Sequence, residues 1–230
     1  MTGGLAVAAL QKLTTLDFPG VVSAMIYTRG CNFHCPYCHN HHLISAGPGS
    51  VDPDTVLAFL RKRSGILDGL VISGGEPTLQ PGLADFCREV KSLGYRIKLD
   101  SNGSRPAMLE TLLRDKLLDY AAIDLKASPA AYRPGLTAEP DLEAALAESV
   151  ALLRRHNLAH ELRTTCVSPF VDGSLPEAAA PLAGNAPWLL QRARLSPEAE
   201  RAGLAALPEA AIQALAAQGR ALGLRPKVRE

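Results

Sequence analysis

The sequence predicts an α/β fold, a partial (β/α)6 barrel of the TIM type with parallel strands. Short apolar runs alternate with amphipathic segments about every 25 to 35 residues, a pattern typical of parallel sheets with right-handed crossovers. The chain has 230 residues, and six such units fit this length better than a complete eight-unit barrel, which takes about 250 residues. The polar clusters all follow predicted strands, at the edge where parallel α/β folds build their sites.

Strands are predicted where β-branched or apolar runs end in polar or glycine residues. Residues 1–20 are a lead-in that ends in turn residues. The first strand is then the VVSAMIYT run before Gly30, and the second is the short LVIS run before Gly74. The predicted strands cover residues 21–28, 70–73, 95–99, 120–125, 161–167 and 188–190, with a last short strand over 224–228.

Helices are predicted from capping residues and from apolar periodicity. Asp52 followed by Pro53 is a good helix start, and Gly65 lies just past the predicted end. The most regular helix has one apolar face, made of Leu142, Leu146, Val150 and Leu153. The predicted helices cover residues 53–63, 83–93, 106–115 and 142–155, with one or two more over 197–222 that are broken at Pro208. Residues 168–186 are predicted as a loop with no more than one turn of helix.

Composition and patterning bound the class of protein. No internal repeat or linker divides the chain, so we expect one domain over residues 1–230, with a core over about 18–195 and a helical extension over 196–230. A net charge of +1 gives no general attraction to nucleic acid. No apolar run approaches the roughly 18 residues of a membrane helix, and no signal peptide is evident. Five cysteines disfavour a disulfide framework, so we expect a reducing cytoplasm and no membrane partner.

The densest chemical motif is a group of three cysteines after the first predicted strand. Cys31, Cys35 and Cys38 are spaced C-x3-C-x2-C, and three thiolates on one loop suit a soft metal centre. An iron–sulfur cluster held by protein alone takes a fourth ligand, and no fourth cysteine is near. The trio therefore predicts a cluster with one open metal corner, where a substrate or cofactor can bind.

A structural zinc site, with His34 or His39 as the fourth ligand, is the alternative reading of the same spacing. It would make the chain a non-enzymatic, zinc-bound interaction module, and it predicts a colourless protein. Cys87 and Cys166 lie far away along the chain. We expect these two to be buried free thiols that behave as small apolar residues.

Glycines and a row of polar residues follow two further strands. Gly74 and Gly75 have no side chains, so their backbone can approach a ligand closely, although a tight turn uses the same residues. Asp100, Ser101 and Asn102 stand in a row. This row fits either a ligand site or an Asx-type turn before the next helix.

Charged residues follow the fourth strand and lie on the fifth. Asp124 and Lys126 are two residues apart and face the same way, so they fit a ligand site or an ordinary ion pair. A lysine suits a ligand carboxylate as a compact point charge. Arg163 on the fifth strand is a candidate for a ligand contact or for a structural place in the barrel mouth.

These motifs together resemble the radical S-adenosylmethionine (radical SAM) superfamily. The cysteine spacing, with Tyr37 as the aromatic residue, resembles its C-x3-C-x-aromatic-C signature, and SGGEP at 73–77 resembles its GGEP motif. The resemblance implies that the cysteines hold a [4Fe–4S] cluster whose fourth iron binds the methionine amino and carboxylate groups of SAM. It also implies that the GGEP segment is the site for that amino group.

Two shorter segments resemble the activating enzymes of glycyl radical enzymes. LDSNG at 99–103 resembles their LDTNG, and DLK at 124–126 matches theirs. The resemblance implies that Lys126 meets the carboxylate of SAM, with Asp100 and Asp124 beside it around a monovalent cation. The full set of cofactor contacts that it implies is Tyr37, Gly74, Gly75, Glu76, Asp100, Ser101, Asn102, Asp124, Lys126, Arg163 and Gln191.

Over residues 10–195 the chain resembles the anaerobic ribonucleoside-triphosphate reductase activating proteins. The resemblance is carried by LTTLDFPG at 13–20, CHN at 38–40, KLD at 98–100, IDLK at 123–126, RTT at 163–165 and WLLQ at 188–191. Pyruvate formate-lyase activating enzymes are close relatives. Their nucleoside-contacting histidine is missing here, and Gln191 is the candidate in its place.

The implied activity is reductive cleavage of SAM to methionine and a 5′-deoxyadenosyl radical, which takes a hydrogen atom from a glycine of a partner reductase. The resemblance implies that Asp17 holds the partner's glycine loop, although Asp17 also fits a turn cap. A reduced flavodoxin or ferredoxin is the expected electron donor. Another glycyl radical enzyme as partner and a small-molecule substrate are the alternatives, whereas the neutral charge disfavours RNA.

Overall fold

The structure, a computed structural model, describes residues 4–229. Its strands are β1 (Val7–Thr14), β2 (Ser23–Thr28), β3 (Gly69–Gly74), β4 (Arg96–Ser101), β5 (Tyr120–Asp124), β6 (His160–Ser168), β7 (Pro187–Arg192), β8 (Ala205–Ala206) and β9 (Arg225–Arg229). They form one sheet in the order β1-β2-β3-β4-β5-β6-β7-β9, with the short β8 paired to β6. From β2 to β9 the neighbours along this order are parallel. The predicted α/β fold with a parallel sheet is confirmed.

The helices lie mostly in the connections between parallel strands. They are α1 (Pro53–Arg63), α2 (Leu83–Ser92), α3 (Pro106–Arg114), α4 (Pro129–Gly135), α5 (Leu142–Arg155), α6 (Leu175–Ala183), α7 (Pro197–Arg201) and α8 (Glu209–Ala221). α7 and α8 lie on either side of Pro208, where the sequence predicts a break. Between residues 4 and 229, no helix has both the length and the apolar character that crossing a membrane requires.

β1 differs from the predicted lead-in. It pairs antiparallel with β2 at one edge of the sheet. Only Val7 and Thr14 of its eight residues are buried. An edge strand of this kind has neither a continuous apolar run nor a clean alternation, so the periodicity that marks the other strands is missing here.

Two helices also differ from the prediction. α6 has nine residues and takes up about half of the loop predicted over 168–186. α4 falls in a stretch to which no element is assigned from the sequence. Each contains a proline inside its bounds, Pro181 in α6 and Pro134 in α4. Proline ordinarily ends a helix, so the sequence pattern does not predict a helix in either segment. Tertiary contacts nevertheless allow both segments to be helical.

The two faces of the sheet differ in polarity. On the outer face Ile26, Ile72, Leu99 and Ile123 are fully buried in the main core. Side chains that alternate with them point to the inner face. There a small second core of Phe18, Val21, Met25 and Val71 lies near the strand starts. Polar residues follow towards the strand ends, where the candidate site is built.

Candidate active site

A cavity of about 380 Å³ opens at the C-terminal ends of the parallel strands, a volume typical of small-molecule sites. Segments that follow β2, β3, β4, β5 and β7 contribute to its walls. Among the residues predicted to contact the cluster or SAM, all except Arg163 line it. They are Cys31, Cys35, Tyr37, Cys38, Gly74, Gly75, Glu76, Asp100, Ser101, Asn102, Asp124, Lys126 and Gln191.

The three clustered cysteines are free thiols that border this cavity. Burial raises the pKa of the Cys31 thiol to about 12 and also raises the pKa of Cys35. Such thiols stay protonated until a metal displaces the proton. One loop therefore presents three sulfur ligands to one space, which fits a cluster with an open corner. Within residues 4–229, no three His, Cys, Asp or Glu side chains are placed to hold a single metal ion.

The neighbouring histidines and the other two cysteines have separate places. His39 Nε2 lies 2.5 Å from the carbonyl oxygen of Arg194, which ties the cysteine loop to the chain after β7. His34 is exposed. Cys87 and Cys166 are fully buried free thiols, as the sequence predicts.

Asn32, between the first two cysteines of the loop, is fixed by side chains that no motif marks. Asn32 Nδ2 donates to Ser104 Oγ (2.8 Å) and to Glu139 Oε1 (3.0 Å). Asn102 Nδ2 donates to Asn32 Oδ1 at 2.9 Å. Arg105 completes the group with two hydrogen bonds to the Glu139 carboxylate, at 2.6 and 3.0 Å. The loop is therefore held by a network whose members are far apart in sequence.

Further contacts to the loop come from α4 and the residues after it. Thr137 Oγ1 donates to the carbonyl oxygen of Asn32 at 3.1 Å. The ring of Tyr132 packs edge-on against Phe33, with centroids 6.3 Å apart. This support is not evident from the sequence, because it comes from an unpredicted helix and from residues about a hundred positions away.

Gly74 and Gly75 are required by the protein's own backbone. Gly74 has a φ of +121°, which residues with a side chain rarely adopt. A Cβ on Gly74 would lie 2.1 Å from Thr28 N, and one on Gly75 would lie 2.2 Å from Gly30 O. Gly75 N donates to Thr28 O, and Glu76 N donates to Gly30 O, each at 2.8 Å. The glycine pair thus packs directly against the chain that leads into the cysteine loop.

Glu76 clamps the ends of β3 and β4 together. It is 1% exposed. Its Oε1 accepts from Thr78 N (3.0 Å), Thr78 Oγ1 (2.5 Å) and Ser101 Oγ (2.8 Å), and its Oε2 accepts from Asn102 N (2.7 Å). Burial raises the pKa of Glu76, and these hydrogen bonds oppose that rise. The carboxylate therefore binds protein donors and sets the positions of Ser101 and Asn102 in the cavity wall.

A chain of ion pairs runs along the inner face of the sheet into the cavity. Lys98 pairs with Asp100 Oδ1, and Arg163 Nη1 lies 3.0 Å from Asp100 Oδ2. Arg163 Nε lies 2.9 Å from Asp124 Oδ1, and Lys126 Nζ lies 2.8 Å from Asp124 Oδ2. Side-chain exposure increases from 1% at Lys98 to 24% at Lys126. The chain of ion pairs therefore starts in the interior and ends at the cavity.

Pairing outweighs burial in the exposed half of this chain. Burial raises the pKa of Asp124, but Arg163 and Lys126 hold it well below its usual range. Burial lowers the pKa of Lys126 and that of Arg163, but their carboxylate neighbours raise both above the usual values. Asp124, Lys126 and Arg163 are therefore charged at neutral pH.

Two tyrosines fix the backbone of Lys126. Tyr37 Oη donates to the carbonyl oxygen of Lys126, and the Lys126 N–H donates to Tyr132 Oη, both at 2.7 Å. The ring of Tyr37 is buried and lies 5.4 Å from that of Phe170. The aromatic residue of the cysteine motif therefore links the loop to the lysine.

Arg163, Gln191 and Asp17 lie in three different settings. Arg163 lies behind the cavity wall, between Asp100 and Asp124, whereas Gln191 borders the cavity. Asp17 lies after β1 and outside the cavity, and its Oδ2 accepts from Thr14 Oγ1 at 2.5 Å. Burial and the charges of Asp17 and Asp100 raise the pKa of Tyr27.

The partial barrel, the three thiols and the glycine-bounded cavity define a class of protein. A family model for the radical SAM superfamily matches residues 25–169, and the chain belongs to this superfamily. It is a radical SAM enzyme, and membership implies a [4Fe–4S] cluster and SAM as cofactors. The three thiols that border one cavity fit the cluster.

Relatives among curated proteins are more specific. The chain is 34% identical over 173 residues to a Methanocaldococcus jannaschii protein whose name places it among glycyl-radical enzyme activating enzymes, covering 72% of this chain and 70% of that protein. It is 29% identical over 119 residues to 7-carboxy-7-deazaguanine synthase of Thermococcus kodakarensis, 42% of this chain and 46% of the relative. It is 28% identical over 124 residues to pyruvate formate-lyase-activating enzyme of Clostridium pasteurianum, 51% of each. The chain thus spans about half the length of each of the last two relatives.

Solved structures support the fold assignment. A radical SAM methyltransferase from Sphaerobacter thermophilus superposes with a TM-score of 0.66 at 15% identity, covering 98% of this chain and 77% of that one. At this identity the similarity shows the fold alone. It agrees with the partial barrel predicted from the alternation of strands and helices.

Proposed function

We propose that this protein is an activating enzyme that generates a glycyl radical on a partner enzyme. The observation that carries the proposal is the convergence of three free thiols and a charged Lys126 on one cavity. The relative that is 34% identical over 72% of the chain, and is named for this activity, supports the class of partner.

In this proposal Cys31, Cys35 and Cys38 hold the cluster, Lys126 meets the carboxylate of SAM, and the GGEP segment holds its amino group. When bound and reduced, the cluster and SAM supply an organic radical that removes a hydrogen atom from a glycine Cα. The chain's own part is to position these groups and to exclude water from them.

The remaining cavity residues contribute mainly by position. Tyr37 and Tyr132 fix the Lys126 backbone, and Glu76 fixes the row Asp100, Ser101 and Asn102 through its hydrogen bonds to the last two. Gln191 borders the cavity on β7, and we assign it to the nucleoside. The four carboxylate oxygens of Asp100 and Asp124 all contact side-chain cations, so the expected monovalent cation is not part of the proposed cofactor set.

The partner is a prediction that rests on sequence resemblance. Anaerobic ribonucleoside-triphosphate reductase is the first candidate, and pyruvate formate-lyase is the second. Asp17 is proposed, on the sequence resemblance, to contact the partner's glycine loop. A reduced flavodoxin or ferredoxin is the proposed electron donor, and the reducing cytoplasm is the compartment that suits an oxidation-sensitive cluster. The similarity to a 7-carboxy-7-deazaguanine synthase favours a small-molecule substrate as the second reading.

The first test is anaerobic reconstitution with iron and sulfide, followed by reduction and addition of SAM. We expect 5′-deoxyadenosine from the wild type and from Cys87→Ala, which removes a buried thiol away from the cavity, but none from Cys35→Ala. A colourless protein that holds one zinc and makes no 5′-deoxyadenosine would refute radical chemistry. If cleavage occurs, each candidate partner is then mixed in and examined for a glycyl radical by electron paramagnetic resonance. A signal in none of them would favour the small-molecule reading.

A further inference from the structure

The two carboxylates at the centre of the ion-pair chain have no free oxygen. Asp100 Oδ1 contacts Lys98, and Asp100 Oδ2 contacts Arg163. Asp124 Oδ1 contacts Arg163, and Asp124 Oδ2 contacts Lys126. A bound alkali ion would need several oxygen ligands here, and each of these four oxygens already has a nitrogen donor.

The cations of the region outnumber the two ion-paired carboxylates. Lys98, Arg163 and Lys126 are three cationic side chains beside Asp100 and Asp124. Two further buried acids have hydrogen-bond donors of their own: Glu76 accepts from Thr78, Ser101 and Asn102, and Glu161 accepts from Tyr120 Oη at 3.0 Å. Lys126, at the exposed end of the ion-pair chain, is the cation placed to meet an incoming ligand carboxylate.

We propose that the chain supplies this cation itself: Lys98 and Arg163 take the place of a bound monovalent ion beside Asp100 and Asp124. Binding and cleavage of SAM therefore do not depend on Na⁺ or K⁺. This inference rests on the proposed function, because it concerns the same SAM site. It departs from the expectation that the family resemblance gives for these two acids.

Movement of Lys126 towards a ligand does not restore an ion site. If Lys126 turns to the SAM carboxylate, it releases only Asp124 Oδ2. The other three oxygens keep Lys98 and Arg163, which lie deeper in the fold at 1% and 15% exposure. Arg163 bridges the ends of β4 and β5 from β6, so it is a positioning residue that holds two walls of the cavity at a fixed separation.

The decisive experiment compares reconstituted wild-type protein in two buffers of equal ionic strength. One contains tetramethylammonium as its only monovalent cation, and the other contains K⁺ or Na⁺. The SAM dissociation constant is measured by equilibrium dialysis, and 5′-deoxyadenosine formation is measured separately. We expect both to change by less than about twofold between the buffers. A loss of about tenfold or more in tetramethylammonium that K⁺ or Na⁺ restores would overturn the inference.

Two variants that each remove one of the internal cations should make SAM binding dependent on added ions. Arg163→Ala leaves two facing carboxylate oxygens without a cation, and Lys98→Met removes the deeper charge. In tetramethylammonium we expect each to bind SAM about tenfold more weakly, with recovery in K⁺, and for Arg163→Ala also in guanidinium. Arg155→Ala, which removes an exposed arginine on α5, is the matched control and should respond to neither ion.

The outcomes separate this inference from the proposed function. No 5′-deoxyadenosine in either buffer refutes the proposed chemistry. Cleavage in K⁺ alone keeps the chemistry and overturns the internal cation. A folded Arg163→Ala protein, with wild-type iron content, that binds SAM equally well in both buffers also overturns it. If both variants fail to fold, the wild-type comparison alone decides.

Discussion

The cysteine loop is held on two sides, and the two sides use different parts of the chain. On the side of β3 the contacts are between backbone atoms: Gly75 N and Glu76 N donate to the carbonyl oxygens of Thr28 and Gly30, and a Cβ on Gly75 would lie 2.2 Å from Gly30 O. On the side of α4 a backbone hydrogen bond from His34 N to Leu136 O is joined by contacts from side chains, those of Tyr132, Thr137 and Glu139. The first side leaves no freedom in sequence, whereas the second can be built by other residues.

This difference explains why the β3 side of the site is recognisable as a sequence motif and the α4 side is not. A Cβ at position 74 or 75 would lie about 2 Å from backbone atoms of residues 28 and 30, so only glycine fits at these positions. The structural requirement is therefore visible in the sequence as a residue type. A hydrogen bond from Asn32 requires only an acceptor in the right place, and many residue types provide one. We therefore expect substitutions at Gly75 and Glu76, on the β3 side, to have larger effects than substitutions on the α4 side.

The largest effect is expected from Gly75→Ala. The added Cβ would lie 2.2 Å from Gly30 O and 2.7 Å from Gly30 C, and backbone must move to relieve the clash. We expect a loss of about 3 kcal/mol or more in the free energy of unfolding, measured by urea denaturation, and poor retention of iron on reconstitution. Gly173→Ala is the control because no atom lies within 4 Å of its virtual Cβ. Near-normal stability of Gly75→Ala would contradict the claim that only glycine fits against the backbone of Gly30.

The second effect in size is expected from Glu76→Gln. The amide nitrogen that replaces one oxygen would face an N–H or hydroxyl donor, because both carboxylate oxygens accept hydrogen bonds inside the protein. A buried donor left without an acceptor costs about 1–3 kcal/mol, and more where the lost acceptor is charged. We expect a loss of about 2–3 kcal/mol by urea denaturation. A change below about 0.5 kcal/mol would show that the clamp is not required.

The sequence predicts the fold class and the chemical motifs well, for a physical reason. Parallel strands buried on the outer face by helices carry strong apolar signals, as at 70–73 and 120–125, and motif residues sit directly at their ends. Tyr37 was predicted beside the cofactor, and the structure places its hydroxyl on the Lys126 carbonyl. Such a partner, 89 positions away, cannot be identified from residue type and spacing.

The parts that the sequence does not predict share a dependence on tertiary contacts. β1 has too few buried residues for a periodic signal, and α4 and α6 contain proline within their bounds. Lys98 belongs to the KLD segment at 98–100, but nothing in the sequence indicates that it is 1% exposed and paired with Asp100. Its burial depends on packing at the inner face of the sheet, where Arg163 of β6 also contacts Asp100 of β4.

On the α4 side, Tyr132→Phe tests whether side-chain support reaches the ligand site. The change leaves the Lys126 N–H without its acceptor, and we expect a loss of about 1–2 kcal/mol in stability by urea denaturation. Tyr95→Phe is the matched control, since that buried hydroxyl also bonds backbone, at Leu60, away from the cavity. Both variants should lose similar stability, but only Tyr132→Phe should weaken SAM binding in equilibrium dialysis. Equal SAM affinity in the two variants would show that the Tyr132 hydroxyl of α4 does not support SAM binding.

The smallest effect is expected from Glu139→Gln, at about 1 kcal/mol or less, because the Arg105–Glu139 pair is partly exposed. Hydrogen bonds from Arg105 and Asn32 lower the pKa of Glu139 below its usual value of about 4.3. The contribution of the carboxylate is therefore complete above that value and is lost as the pH falls through the lowered, folded-state pKa. The free energies of unfolding of wild type and variant, measured by urea denaturation, should differ at neutral pH and converge in acid.

Glu148→Gln, which changes an exposed pair with Arg155 on α5, is the control and should leave iron retention unchanged. Lower iron retention in Glu139→Gln alone would show that this network acts on the cysteine loop itself, and equal retention would confine its role to folding.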